Sequence, residues 1–383
     1  MSLNLSRNTR LWVSTSSTTH NNSNTFEIPI QDGYSLGQSV TSEDISPEEA
    51  GPVPTRGSKR FNLAFDPVSW SFSTYLNPFR SSGDVMAIDA IMWHALATGN
   101  DLPVQLTGDG AGGPDQTDVF TTGSSFKVGF TKNSAHVLKK LYLYFKIDNN
   151  VYRVDEAQVN EAAIPLDISD IGMTNWSGQG TKITQIEEPT FMSAIGAEYD
   201  IGGSSTDSYV AIPTDKSYIL NKLTTVTMQS DAGGSQAFYN IALTGGTITI
   251  ANNISYVTPS TLAEVDTPVG SFTGSFSVSG NMDSYLRGGI GLADGSDIDN
   301  AYGSEDLLRL MSENREVINA SNIIFEMGGR TNASKVLVTL PNAQIGVPAM
   351  SVDSIVSQSL EFKGIPSSSD MNDGDEVNLE FFQ

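Results

Sequence analysis

The chain has 383 residues and a formal net charge of −23, from 21 Lys and Arg against 44 Asp and Glu, and it contains no cysteine. This balance excludes a basic stripe that grips nucleic acid, and the missing thiols exclude a disulfide framework or cysteine-held metal. Hydrophobic residues make up 38%, sufficient for two small cores, while no apolar run approaches the ~20 residues of a membrane span.

The acidity is uneven, with 13 basic and 21 acidic residues through Thr190, and 8 and 23 after it. Such a surface favours solubility, and it equally suits a wall past which an anionic molecule must slide. The opening Met1-Ser2-Leu3-Asn4-Leu5-Ser6-Arg7 has no apolar stretch, so no signal peptide is expected.

In chain order, residues 14–25 are almost wholly polar. Residues 40–59 read as a loop with three prolines, two glycines and acidic pairs at Glu43-Asp44 and Glu48-Glu49. Asp84 is placed to cap a helix over 85–97, where Ile88, Ile91, Met92 and Ala95 make one apolar stripe and Gly99 ends it. Residues 101–123 are a glycine-rich insertion. Alternating runs predict strands at 126–130, 140–146, 247–250, 272–278, 335–340 and 356–363. In the last, Val356, Gln358, Leu360 and Phe362 share one face, and Ser357, Ser359, Glu361 and Lys363 the other. Ser304 is placed to cap a second helix over 305–312, with Glu305 and Asp306 suiting its dipole. The fold expected is mainly β with one helix per domain.

The pattern is written twice. Leu11-Trp12-Val13-Ser14 leads to Phe26-Glu27-Ile28-Pro29-Ile30 and Gly33, and Thr224-Thr225-Val226-Thr227 leads to Tyr239-Asn240-Ile241-Ala242-Leu243 and Gly246, a shift of 246 − 33 = 213. Trp70-Ser71-Phe72-Ser73 with Tyr75-Leu76 is answered by Gly274-Ser275-Phe276-Ser277 with Tyr285-Leu286. Ala157-Gln158-Val159, Asp167, Trp176 and Gly178 map without a gap onto Ala343-Gln344-Ile345, Asp353, Phe362 and Gly364, a shift of 343 − 157 = 186. Two tandem β-sandwich, barrel-forming domains follow, 1–190 and 191–383. A fused pair of this kind can replace two subunits of a symmetric ring.

Motifs that carry chemistry are weak. Gly108-Asp109-Gly110-Ala111-Gly112-Gly113 fits G-x-G-x-x-G, but Pro114 follows where a phosphate-binding helix would open. The acidic segment 294–300 has its oxygens at the wrong spacing for a calcium loop. His20, His94 and His136 are scattered, and the carboxylate pairs Glu187-Glu188 and Asp373/Asp375 sit in polar, turn-like surroundings. No nucleophile, base and oxyanion donor can be assigned together, so neither an enzyme nor a cofactor is expected.

Longer blocks carry a resemblance. Leu5-Ser6-Arg7-Asn8-Thr9-Arg10-Leu11-Trp12-Val13-Ser14-Thr15 resembles the opening of tail tube proteins from T5-like long-tailed phages (siphophages). So do Glu49-Ala50-Gly51-Pro52-Val53-Pro54-Thr55-Arg56-Gly57-Ser58-Lys59-Arg60-Phe61-Asn62, Trp70-Ser71-Phe72-Ser73-Thr74-Tyr75 and Met92-Trp93-His94-Ala95-Leu96. Further blocks are Asp170-Ile171-Gly172, Trp176-Ser177-Gly178, Val269-Gly270-Ser271-Phe272-Thr273-Gly274-Ser275-Phe276 and Glu361-Phe362-Lys363-Gly364-Ile365-Pro366-Ser367. Some relatives carry a further immunoglobulin-like domain, which is not expected here.

The resemblance implies a structural subunit of the virion tail, made in the host cytoplasm, that stacks as rings around a closed β-barrel and conducts DNA at ejection. A duplicated chain implies three chains per ring. The implied partners are further copies of the chain, the tape measure protein, the tail terminator and baseplate proteins, and double-stranded DNA sliding without specific binding; no membrane is involved. Assembly contacts are expected at Glu43, Asp44, Pro52, Pro54, Arg56, Lys59 and Arg60. The lumen is expected at Asn175, Ser177, Glu361 and Lys363. The competing readings are a β-rich receptor-binding or adhesion module, and a hydrolase with an unrecognised acidic site.

Overall fold

The computed structural model describes residues 9–18, 20, 24–45, 57–81, 84–98, 120–122, 125–130, 137–148, 150–187, 218–230, 237–258, 267–287, 301–307, 321–329, 334–352, 354–366 and 374–383. The first half runs β1 (Thr9–Ser14), β2 (Thr25–Ile28), β3 (Ser35–Gly37), β4 (Val40–Ile45), β5 (Lys59–Phe65), β6 (Val68–Tyr75), β7 (Pro78–Ser81), β8 (Asp84–Ala87), α1 (Ala90–Ala97), β9 (Phe120–Thr122), β10 (Ser125–Val128), β11 (Leu141–Ile147), β12 (Asn150–Pro165), β13 (Met173–Gly180) and β14 (Lys182–Glu187). The second runs β15 (Thr225–Ser230), β16 (Ala237–Ile241), β17 (Leu243–Ala251), β18 (Ile254–Val257), β19 (Gly270–Thr273), β20 (Ser277–Tyr285), β21 (Ala301–Tyr302), β22 (Ser321–Gly328), β23 (Lys335–Ile345), β24 (Ala349–Val352), β25 (Val356–Gly364) and β26 (Asn378–Phe382).

Strand identity follows from period-two burial. In β6, Val68, Trp70, Phe72 and Thr74 are buried, and the serines between them face outward. The 16-residue β12 serves two sheets. Its first part pairs with β11 and β14, and its last part with β13 and β17. The change of sheet falls at Glu156, whose φ of 48° bends the strand as a bulge does.

One outer sheet is thus β2–β1–β11–β12–β14, and a second is β16–β15–β22–β23–β26, extended by β10 and β9. A third sheet runs unbroken through both halves as β3–β6–β13–β12–β17–β20–β25, with the end of β23 and then β24 beyond β25. Registers recur between the halves. Ser35 faces Ser71 as Thr249 faces Ser279, Val40 faces Phe65 as Ile254 faces Thr273, and Asn175 faces Ser73 as Glu361 faces Asn281. Three constant offsets relate these pairs: 249 − 35 = 214, 279 − 71 = 208 and 361 − 175 = 186. Trp70 therefore answers to Val278 and not to Gly274.

Three sequence expectations change. The strand expected at 272–278 is two strands, β19 and β20, because the Gly274 amide turns back to Asn253 O at 2.9 Å. The helix expected over 85–97 begins only at Ala90, and Asp84 lies in β8 opposite Ser81. All eight residues of α1 are buried, so apolar residues on every side blurred its boundary. In the second half the Ser304 hydroxyl donates to Tyr285 O at 2.6 Å and accepts from the Arg287 amide at 2.9 Å, so it does not cap. Residues 304–306 form one tight helical turn and Leu307 is already α-helical, while 308–312 of the expected helix lie outside the described residues.

The helix is anchored through Asp89. The Asp89 carbonyl accepts the amides of Met92 and Trp93, and its carboxylate accepts Trp93 Nε1 at 3.1 Å and Thr74 Oγ1 at 2.7 Å. Trp176 Nε1 donates to Thr74 Oγ1 at 2.9 Å, and the rings of Trp93 and Trp176 meet edge to face at 4.7 Å. Burial drives the Asp89 carboxyl up to about 6 against the pull of these donors. Its folded value exceeds the ordinary ~4, so the stability it contributes is complete below about pH 4 and is lost as the pH rises through about 6. Asp89→Asn should therefore gain on the unaltered chain by roughly 3 kcal/mol between pH 4 and 7 in denaturant titrations.

Candidate functional site

The unbroken sheet turns one face to the core and the other to solvent. On β13 the core side is Thr174, Trp176 and Gly178, and on β25 it is Gln358, Leu360 and Phe362. Pairing carries the outward residues into rows. One row crosses six strands as Ser73, Asn175, Ala163, Thr249, Ser279 and Lys363. Neighbouring rows hold Ser71, Ser177 and Glu161, and Thr247, Asn281 and Glu361. Asn175, Ser177, Glu361 and Lys363 therefore stand on one face of a single sheet. Ser73 Oγ donates to Asn175 Oδ1 at 2.7 Å there.

Two further charges on this face escaped the sequence reading. Glu161 lies opposite Ser177 and Asp283 opposite Ser359. With Glu361 they set three carboxylates against the one ammonium of Lys363 among the described residues of these strands. The signal for Asp283 was the alternation Ser279-Asn281-Asp283, hidden because the predicted strand stopped at 278. Where β20, β25 and β23 meet, Ser279, Asn281, Gln344, Gly346, Glu361 and Lys363 line an open concavity of about 620 Å³. Its amides and hydroxyls, with Glu361 and Lys363 among them, make it polar.

The expected loop 40–59 is instead a hairpin, with β4 and β5 paired from Val40–Phe65 out to Ile45–Lys59. Glu43 and Asp44 stand on β4 and Lys59 and Arg60 on β5, whereas Pro52, Pro54 and Arg56 lie outside the described residues. Arg60 was expected to offer its charge to a neighbour. It is already engaged with Asp44, Nε to Oδ1 at 2.8 Å and Nη2 to Oδ2 at 3.0 Å, which holds the Asp44 carboxyl below its usual range. The cross-strand register Asp44–Arg60 dictates that pairing. Phe61 and Leu63, each 49% exposed, are the apolar residues of this arm that sequence reasoning passed over.

No family model matches the chain. It is 37% identical over 386 residues to the tail tube protein pb6 of Escherichia phage T5, across 100% of this chain and 76% of that protein. The chain belongs to the tail tube proteins of T5-like siphophages. Its role is structural and its place is the virion tail. Phe61→Ser with Leu63→Ser should leave the unfolding free energy within about 0.5 kcal/mol, because both side chains are half in water. The same variant should polymerise poorly in negative-stain electron microscopy; tubes of normal yield would make the arm a decoration.

Proposed function

We propose that the chain polymerises into stacked rings of three copies, each copy supplying two equivalent tube domains, 1–190 and 191–383, around a barrel through which DNA is ejected. The recurring registers with constant offsets support two equivalent units per chain. The observation that carries the reading is the sheet that runs through both halves and, among the described residues, stops at an unpaired edge on each side. Rings that join such edges close a barrel, which leaves no strand edge open. The tape measure protein and the tail terminator and baseplate proteins are the chain's further partners. The β4–β5 arm, with Glu43, Asp44, Lys59 and Arg60 and the segment holding Pro52, Pro54 and Arg56, bridges neighbouring subunits. Assembly takes place in the host cytoplasm.

The polar face carrying Asn175, Ser177, Glu361, Lys363, Glu161 and Asp283 lines the lumen. Duplex DNA carries one negative charge per roughly 1.7 Å of axis, so a wall with carboxylates in excess repels it weakly and evenly and lets it slide. Image classification of tubes assembled from purified protein should show threefold symmetry with a sixfold-like inner wall, and six whole chains per ring would overturn the stoichiometry. Glu161→Lys, Asp283→Lys and Glu361→Lys together should convert tubes that release duplex DNA at low salt into tubes that retain it. Retention should weaken steeply as salt rises. Equal release by both forms would remove the lumen assignment.

A further inference from the structure

The β4–β5 arm leaves the shared sheet through a short root. Gln38 and Ser39 join β3 to β4, and Asp66 and Pro67 join β5 to β6. Among the described residues β4 and β5 pair only with each other, so this root sets where the arm points. The Asp66 carboxylate accepts Ser39 Oγ at 2.8 Å and Thr41 Oγ1 at 3.3 Å, and the Asp66 amide donates to Ser39 O at 3.0 Å. Gln38 Nε2 donates to Asp66 O at 3.0 Å and to Thr181 O at 3.3 Å, while Gln38 Oε1 accepts the Ile183 amide at 3.2 Å. One glutamine side chain thus ties both sides of the root to the start of β14.

A second arm, β18–β19, leaves the sheet at the equivalent place and is held differently. The offsets of 214 and 208 hold on both sides of the two roots. Gly37 pairs with Ser69 as Ala251 pairs with Ser277, and Val40 with Phe65 as Ile254 with Thr273. Gln38 and Ser39 therefore answer to Asn252 and Asn253, and Asp66 to Gly274. The backbone closure recurs, with the Gly274 amide donating to Asn253 O at 2.9 Å. The side-chain ties do not recur. Asn252 Nδ2 donates to Leu96 O at 2.9 Å, and the Asn252 amide donates to Asn160 O at 2.8 Å. The Ile254 amide donates to Asn160 Oδ1 at 2.7 Å, and the Tyr256 hydroxyl to Glu156 O at 2.7 Å. This root leans on α1 and β12 of the other half, and a glycine stands where the first root has its carboxylate.

We infer that Gln38 and Asp66 are positioning residues that fix the direction of the β4–β5 arm in the free chain, before a second copy meets it. The second arm borrows its support from the half beside it. At β3 the sheet ends among the described residues, so the first arm draws its support from its own root. An arm already aimed loses less freedom on docking than one that swings, and binds more tightly for the same contacts. Pro67 assists by fixing a backbone angle directly after Asp66. The assignment rests on the reading above that this arm bridges subunits, and it names the side chains that aim it.

The chain contains no cysteine, so Asn62→Cys on the arm and Ser279→Cys on the shared sheet, both at exposed positions, accept spin labels at two defined places. Pulsed electron paramagnetic resonance on the unassembled, labelled chain should give one narrow distance distribution. Gln38→Ala with Asp66→Ala should broaden it. Asp66→Asn should keep it narrow, because an amide still meets both hydroxyls. Without labels, the double alanine variant should need a roughly tenfold higher protein concentration to form tubes, and Asp66→Asn should assemble like the unaltered chain. A broad distribution in the labelled chain with Gln38 and Asp66 intact, or an unchanged narrow one in the double alanine variant, would overturn the assignment. A broadened distribution with an unchanged assembly threshold would support the clasp and sink the arm's part in joining subunits. If the double alanine variant misfolds, each single alanine variant is read by the same distances.

Discussion

A strand edge leaves amides and carbonyls that must be paired or wetted, and this constraint organises the whole molecule. The chain meets it at β12, which bends at Glu156 so that one strand completes an outer sheet and then enters the shared one. Without that bend the first half would end at its own edge. With it, β12 offers a second edge to β17, and the two halves become one sheet through five consecutive pairings from Glu161–Ala251 to Pro165–Thr247. Among the described residues β24, in contrast, pairs with β25 alone.

Packing behind that sheet explains why its face can be so polar. Trp70 lies over Gly178 and Phe362 over Gly280, so close that a Cβ at either glycine would approach the ring to 2.2 Å and 2.5 Å. Large aromatics on one strand thus fill the space that glycines vacate on the next, and the core side needs no help from the outward side chains. Trp93, Trp176 and Phe381 extend the aromatic layer under α1, where Asp89 and Thr74 satisfy the two indole N–H groups. The outward side is then free to carry Ser, Asn, Thr and a few charges.

Charge is distributed with the same economy. The chain is strongly acidic as a whole, yet the described face of the shared sheet holds only Glu161, Asp283, Glu361 and Lys363. Several of the cations are paired locally, as at Arg10–Glu27, Lys127–Glu380 and Lys140–Glu156. Exposed pairs of this sort add little stability.

The sequence by itself determined the β class and the face assignment of β25. Those signals are local, because alternation along a strand is set by pleat geometry whatever the partner is. It also carried the family, since blocks spread over the whole chain are read without any knowledge of contacts. Tertiary structure decided the rest. Asp84 looked like a helix cap because apolar residues follow it at helical spacing, yet Val85–Ala87 are buried in a hairpin strand and only the burial of α1 on all sides separates the two. Asp283 and Glu161 joined Glu361 only when register laid their strands side by side. Arg60 kept its charge at home because Asp44 lies directly across the hairpin. Pairing partners are long-range choices among many compatible strands, settled by which edges are left open once every core face is covered, and a single chain does not spell them out residue by residue.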